Sequence, residues 1–205
     1  MNMERERAPE PVIPGAENCC LSLIEETQDY NPKLAKLIQT DEDRFARLKA
    51  AYESGRISDK LYVSFLFTEH GKAGYRRFFD CLLSLPEGRA CLWHCTDGKD
   101  RTGVAAMLVL TALGADRDTI LQDYLLTNEY NAARLDAVRD GLESLLPTPE
   151  LRELALFGAG GVFERYMTNA MDAMEERCGS AEGYLKQELG LNEAKLEILR
   201  EKFLE

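Results

Sequence analysis

One twelve-residue stretch restricts this chain more than any other: Leu92-Trp93-His94-Cys95-Thr96-Asp97-Gly98-Lys99-Asp100-Arg101-Thr102-Gly103. A short apolar run, Ala90 to Trp93, leads into it, and a longer one, Val104 to Leu110, follows. A short apolar run ahead of a glycine-containing loop reads as a buried parallel strand. The second run is apolar all round a helix and reads as a buried helix. Strand, loop and helix in that order bring loop amides and a helix N-terminus to one point, which is a place for an anion.

Cys95 stands at that point. A free thiol has a pKa of about 8.5, and thiols at helix N-termini beside cations fall to roughly 3.5–7.5. A drop of three units corresponds to about 4 kcal/mol in favour of the thiolate. Arg101, at the turn from loop to helix, can reach back over the loop, and its planar fork matches two phosphate oxygens. The thiolate then faces a bound phosphoryl group, whose charge the amides and Arg101 stabilise. Thr102 can offer its hydroxyl to Cys95 and help the sulfur leave in a second, hydrolytic step. Any one cysteine before a helix is ordinarily structural. The set of His94, Gly98, Arg101, Thr102 and Gly103 around Cys95 favours the nucleophile.

The string HCTDGKDRTG resembles the signature loop of the cysteine-dependent protein tyrosine phosphatase superfamily. At its full length it is similar to the bacterial tyrosine, serine and lipid phosphatase group, whose loops usually read HCxAGKDRTG. Weaker similarity runs through Val104–Leu113, Gln122–Asn128, Gly179-Ser180 and Tyr184-Leu185, and Pro9–Gly15 is similar to the segment before a strand in that group. Asp97 departs from the pattern, which has a small residue there; an added carboxylate weakens phosphate binding or changes substrate preference.

The resemblance implies an α/β, protein tyrosine phosphatase-like fold: a short, central, mostly parallel sheet flanked by helices, with a helical lid. It implies one phosphatase domain over residues 1–205, with an extended lead-in over 1–15, a lid over 129–177 and a hinge at Gly158–Gly161. Only Cys19–Ile24 and Arg89–His94 read as strands, so the chain is expected to be N-terminally short relative to the group. The implied activity is hydrolysis of phosphate monoesters through a cysteinyl-phosphate, on phosphotyrosine and also phosphoserine, phosphothreonine or phosphoinositides. Cys95 is then the nucleophile and Arg101 the phosphate clamp. Thr96, Asp97, Gly98, Lys99 and Thr102 line the substrate loop, and His94 bonds backbone near Cys95. Lys99 is expected to add charge at the loop mouth, as inositol-lipid phosphates require. No metal or organic cofactor is implied.

The leaving oxygen needs a proton. In the resembled group the acid role falls on the loop aspartate, which is Asp100 here. A carboxyl beside a phosphate dianion has its ionisation disfavoured. An upstream loop would instead offer Glu25, Glu26 or Asp29. Two rivals remain at this level. One is a catalytically weak module that binds phosphorylated partners. The other is sulfur transfer or arsenate reduction on the same loop, for which Cys91 is a poorly placed resolving thiol.

At 205 residues the chain is one domain of ordinary size. A net charge of -11 argues against nucleic acid and anionic membranes as partners. No apolar run approaches the roughly 20 residues of a membrane span, and Met1–Glu10 has no apolar signal core. Six cysteines without metal-ligand spacing suggest a reduced, cytoplasmic setting. Two histidines cannot make a histidine-rich metal site. With few strands of its own, the chain is expected to expose a sheet edge, which makes a homodimer plausible.

Helical periodicity predicts helices over Thr40–Tyr52, Ser58–Phe65, Lys72–Ser84, Thr119–Thr127, Glu129–Leu146, Val162–Arg177, Glu182–Leu189 and Glu193–Leu204. The stripe Tyr75, Phe78, Phe79, Leu82 and Leu83 reads as core. Leu135, Val138, Leu142 and Leu145 should share one side, and Leu196, Leu199 and Phe203 should point inward. Pro147 and Pro149 read as a stop. Gly158–Gly161 lacks the preceding strand and following Lys-Ser/Thr of a phosphate loop, and reads as a hinge.

Overall fold

The computed structural model describes residues 13–23, 41–55, 57–140 and 142–204. Eleven helices occupy them: α1 (Asp41–Glu53), α2 (Leu61–Phe67), α3 (Glu69–Leu83), α4 (Asp100–Leu113), α5 (Arg117–Tyr130), α6 (Ala132–Arg139), α7 (Leu142–Leu145), α8 (Pro149–Gly158), α9 (Glu164–Cys178), α10 (Ala181–Gln187) and α11 (Glu193–Phe203).

The helix after the loop, α4, is the centre. It buries Val104, Ala105, Met107, Leu108, Thr111 and Ala112, and packs against α2, α5, α10 and α11. This is why its sequence is apolar on every side. Thr111 answers its own burial by donating to the Met107 carbonyl at 2.8 Å. Gly114 ends the helix, and Arg200 from α11 donates to the terminal Ala112 carbonyl at 3.1 Å. The aromatic stripe of α3 enters the same core: Tyr75, Phe78, Phe79 and Leu82 are buried. Tyr184 of α10 crosses to α2, donating to the Leu66 carbonyl at 2.6 Å. Leu196 and Leu199 pack inward as expected, but Phe203 and Leu145 stay exposed.

The expected central parallel sheet is absent: no strand forms among the described residues. Cys20 and His94 each make a single β-bridge, and a sheet needs successive pairs between neighbouring backbones. The described part of Cys19–Ile24 runs along one face of α3 instead. Leu21 and Leu23 are buried there, Leu23 against Gly74, Ser22 beside His70, and the Cys19 thiol 3.8 Å from that of Cys81. The segment Arg89–His94 is extended, but Ala90 and Leu92 are exposed, Leu92 by 71 %. Its apolar composition therefore does not mark a strand buried on both faces. The open sheet edge that motivated a homodimer is not present among these residues either.

Other departures are local. Pro149 does not stop a helix but starts α8, with the Thr148 hydroxyl accepting from the Leu151 amide at 3.3 Å. Proline suits the first helical position because its missing N–H has no intrahelical partner there anyway. The stretch expected as one helix over Glu129–Leu146 divides into the end of α5, α6 and α7. Ile24 of the first expected strand, Thr40 at the start of the first expected helix and most of the lead-in lie outside the described residues. No helix among the described residues is long and apolar enough to cross a membrane.

Candidate active site

The loop from Cys95 to Lys99 turns into α4 at Asp100, and the Gly103 amide closes the first helical turn on the Lys99 carbonyl at 2.9 Å. Gly98 takes φ +66°, a left-handed conformation that side chains other than hydrogen resist. Cys95 is buried at 6 % exposure, with Thr96, Asp97 and Gly98 exposed beyond it. His94 Nδ1 lies 3.1 Å from the Cys95 carbonyl oxygen, which matches its expected backbone role. Trp93 ties the entry segment to the helix: its indole N–H donates to the Thr102 carbonyl at 3.3 Å, and its ring meets Phe78 edge-on.

Arg101 and Thr102 sit half-buried in the first turn of α4. Among the described residues, two buried side-chain polar atoms have no hydrogen-bond partner: the Thr102 hydroxyl and the Tyr75 hydroxyl. Burial chiefly pushes the Tyr75 hydroxyl well above the ordinary tyrosine range; Tyr184 and, more weakly, Cys95 add to that, and Arg101 opposes it. Unpartnered polar groups in a buried site call for an explanation.

Lys99 is not at the loop mouth. It is 2 % exposed, and its ammonium lies 3.1 Å from both carboxylate oxygens of Asp100. It also donates to the Gly161 carbonyl at 3.3 Å and rests 3.3 Å above the Phe157 ring. Burial lowers its pKa from the ordinary lysine value, against the upward pull of Asp100. The loop lysine thus joins the start of α4 to the segment 157–161. That segment is held on its other side by α5: the Asn128 amide donates to the Val162 carbonyl and accepts from the Val162 N–H, both at 2.9 Å.

Asp100 receives a second donor, the Tyr62 hydroxyl, at 2.6 Å, and Tyr62 in turn bonds the Tyr124 hydroxyl at 2.8 Å. Tyr62, Tyr124, Phe157, Asn128 and Gly161 were not legible as site residues. The tyrosines sit in apolar stripes that read as core, which they also are. Glu25, Glu26 and Asp29, the upstream acid candidates, lie outside the described residues. Among those residues no group of three His, Cys, Asp or Glu side chains could hold a metal.

A buried thiol thus stands beside the N-terminus of α4, with an arginine as the second residue of that helix. The chain belongs to the tyrosine phosphatase family, whose sequence profile matches residues 1–205. It is 34% identical over 123 residues to the triple specificity protein phosphatase PtpB of Mycobacterium tuberculosis, covering 57% of this chain and 44% of that protein. To a tyrosine-protein phosphatase of Nostoc commune it is 28% identical over 142 residues, 69% of this chain and 47% of the other. The matches thus span about half the length of these curated relatives.

Proposed function

We propose that this chain hydrolyses phosphate monoesters, phosphotyrosine foremost, through a cysteinyl-phosphate. The observation that carries the reading is Cys95 buried at the mouth of α4 with Arg101 in the first turn of that helix. In the first step the Cys95 sulfur attacks phosphorus while the bond to the leaving oxygen breaks. Arg101 and the amides from Thr96 to Arg101 hold the equatorial oxygens, and Asp100 gives its proton to the leaving oxygen. In the second step water attacks the phosphocysteine, Asp100 takes the water proton, and the sulfur leaves with help from Thr102. His94 keeps the backbone at Cys95 in place.

The mycobacterial relative is named for triple specificity, so phosphoserine and phosphothreonine peptides and a soluble phosphoinositide belong in the assay beside phosphotyrosine. A phosphoinositide preference would have to draw on groups other than Lys99, whose ammonium is buried against Asp100. The exposed Asp97 in the loop is what supports the second reading, a weakly catalytic module that holds phosphorylated partners.

The test is turnover of nitrophenyl phosphate and of the three phosphosubstrates in EDTA, with Cys95→Ser alongside. Turnover is expected from the native chain and none from Cys95→Ser, which keeps affinity for an oxyanion because the serine hydroxyl is a far weaker nucleophile in the same cradle. Oxyanion binding without turnover in the native chain would favour the binding module. Substantial turnover by verified Cys95→Ser protein would remove the covalent step.

A further inference from the structure

Asp100 is held by more than its own backbone. Its carboxylate accepts from Tyr62 on α2 at 2.6 Å and lies 3.1 Å from the Lys99 ammonium. Tyr62 has a single proton and gives it to Asp100, so the 2.8 Å bond between the two tyrosines is donated by Tyr124. The result is a directed chain, from Tyr124 to Tyr62 to Asp100, in which each bond polarises the next.

From this geometry we infer that Tyr62 is a positioning residue for Asp100: it fixes the orientation of the carboxyl that serves the leaving group. The inference rests on the reading of Asp100 as the acid.

Three features restrict Tyr62 to this role. It is fully buried, with its ring stacked on Phe65, edge-on to Tyr124 and tilted against Tyr166, so it has one orientation. Burial, and then the Asp100 charge, push its hydroxyl well above the ordinary tyrosine range, so it keeps its proton and does not relay one. Its proton points at Oδ1, while the Lys99 ammonium lies 3.1 Å from both carboxylate oxygens. The proton inventory is therefore simple. Asp100 loses a proton to the leaving oxygen as the sulfur–phosphorus bond forms, and regains one from water as that bond breaks. Tyr62 donates a hydrogen bond throughout and exchanges nothing.

The hydrogen-bonding groups on Asp100 are Lys99 on its own loop and Tyr62 on α2, with Tyr124 of α5 behind Tyr62. Tyr62→Phe removes one donor without changing its ring, and the carboxyl loses the contact that holds Oδ1 in place.

The experiment compares kcat for phosphoserine and for nitrophenyl phosphate in native protein, Tyr62→Phe, Asp100→Asn and the double variant, with Tyr124→Phe as a milder change. General-acid help is worth about 10²–10⁴-fold, and a misplaced acid forfeits part of it, so Tyr62→Phe is expected to lose about tenfold on phosphoserine and less than about threefold on nitrophenyl phosphate. KM is expected to hold while kcat falls, and Tyr124→Phe to change kcat with the same leaving-group selectivity by less. In the Asp100→Asn background the Tyr62 substitution is expected to add nothing. An equal loss on both substrates, a loss carried by KM alone, or a full Tyr62 effect in the Asp100→Asn background would overturn the inference. Failure of the acid reading itself shows separately, as the absence of leaving-group selectivity in Asp100→Asn alone. Should Tyr62→Phe fold poorly, a Tyr124→Phe variant whose losses on the two substrates are equal overturns the inference by itself.

Discussion

Lys99 and Arg101 are two cations on one turn, and their surroundings assign them different work. The Lys99 ammonium is enclosed by Asp100, the Gly161 carbonyl and the Phe157 ring. Lys99→Met keeps the length and the contact with Phe157 but leaves the carbonyl without its donor and Asp100 with one donor fewer. Breaking one side of a buried pair costs about 3–5 kcal/mol, and the 17% exposure of Asp100 puts the expected loss near the lower end. A shift of the denaturant midpoint at constant slope measures it; an unshifted midpoint would mean that desolvation of the pair already cancels its attraction. Arg101→Lys should do the reverse, sparing stability and harming catalysis. Charge survives, the bidentate fork does not. A loss of at least about 2 kcal/mol in transition-state stabilisation is expected, comparable to removing one oxyanion donor. It is read from kcat/KM, and a near-native value would show that charge alone suffices.

At the scale of elements, α4 carries the site because its neighbours come close. A Cβ at Gly103 would lie 3.2 Å from Tyr124 Cδ2, and the Tyr124 ring is held by its bond to Tyr62. Gly103→Ala gains about 1 kcal/mol in helix propensity, but overpacking against a ring that cannot yield costs about 1–3 kcal/mol. A net loss of about 1 kcal/mol is expected, with a drop in phosphoserine turnover larger than that in nitrophenyl phosphate turnover; a more stable and fully active variant would show that Tyr124 has room to move. Gly103 also shows what the sequence could disclose. The loop, the buried helix behind it and the aromatic stripe of α3 were legible, because a long motif and an all-round apolar helix each have one physical reading. The sheet was not. Ala90–Trp93 has a strand's composition, but a strand exists only through its neighbour, and four residues say nothing about one. Pro149 was read with Pro147 as a stop, when it is the first helical residue after the Thr148 cap. Tyr62 and Tyr124 were hidden for a different reason: in a helix, a core tyrosine and a tyrosine aimed at a carboxylate have the same spacing.

Across the whole molecule, the helix starts share one device. Glu69 opens α3, Asp116 caps α5, and Glu150 and Glu182 lie in the first turns of α8 and α10. A carboxylate at a helix N-terminus meets unsatisfied amides and the positive end of the dipole. All four have pKa values lowered from the ordinary range, each for a nameable cause. For Glu69 it is the bond from Lys72; for Asp116, the Thr119 amide; for Glu150, its own amide and then the Thr148 hydroxyl; for Glu182, Lys186 and, more weakly, Arg200. A carboxyl whose folded pKa lies below its unfolded value stabilises the fold above the unfolded value. That stability is lost as pH falls through the folded one. The loss here should therefore begin near the ordinary carboxylate range of about 4 and deepen below it. An opposing effect exists, since the chain carries a net charge of -11 and protonation relieves its self-repulsion. The two separate by salt. Self-repulsion acts between distant surface charges and vanishes at about 1 M salt, where the screening length is about 3 Å. The bonds at Asp116 and Glu150 are contacts to backbone amides and persist. Thermal melts from about pH 7 to about pH 3 should thus show a falling midpoint at both low and high salt. Asp116→Asn keeps an acceptor at the cap but no longer titrates, so it should flatten that fall without abolishing it. A midpoint that stays level or rises towards pH 3 at high salt would show that the four helix starts do not govern acid stability.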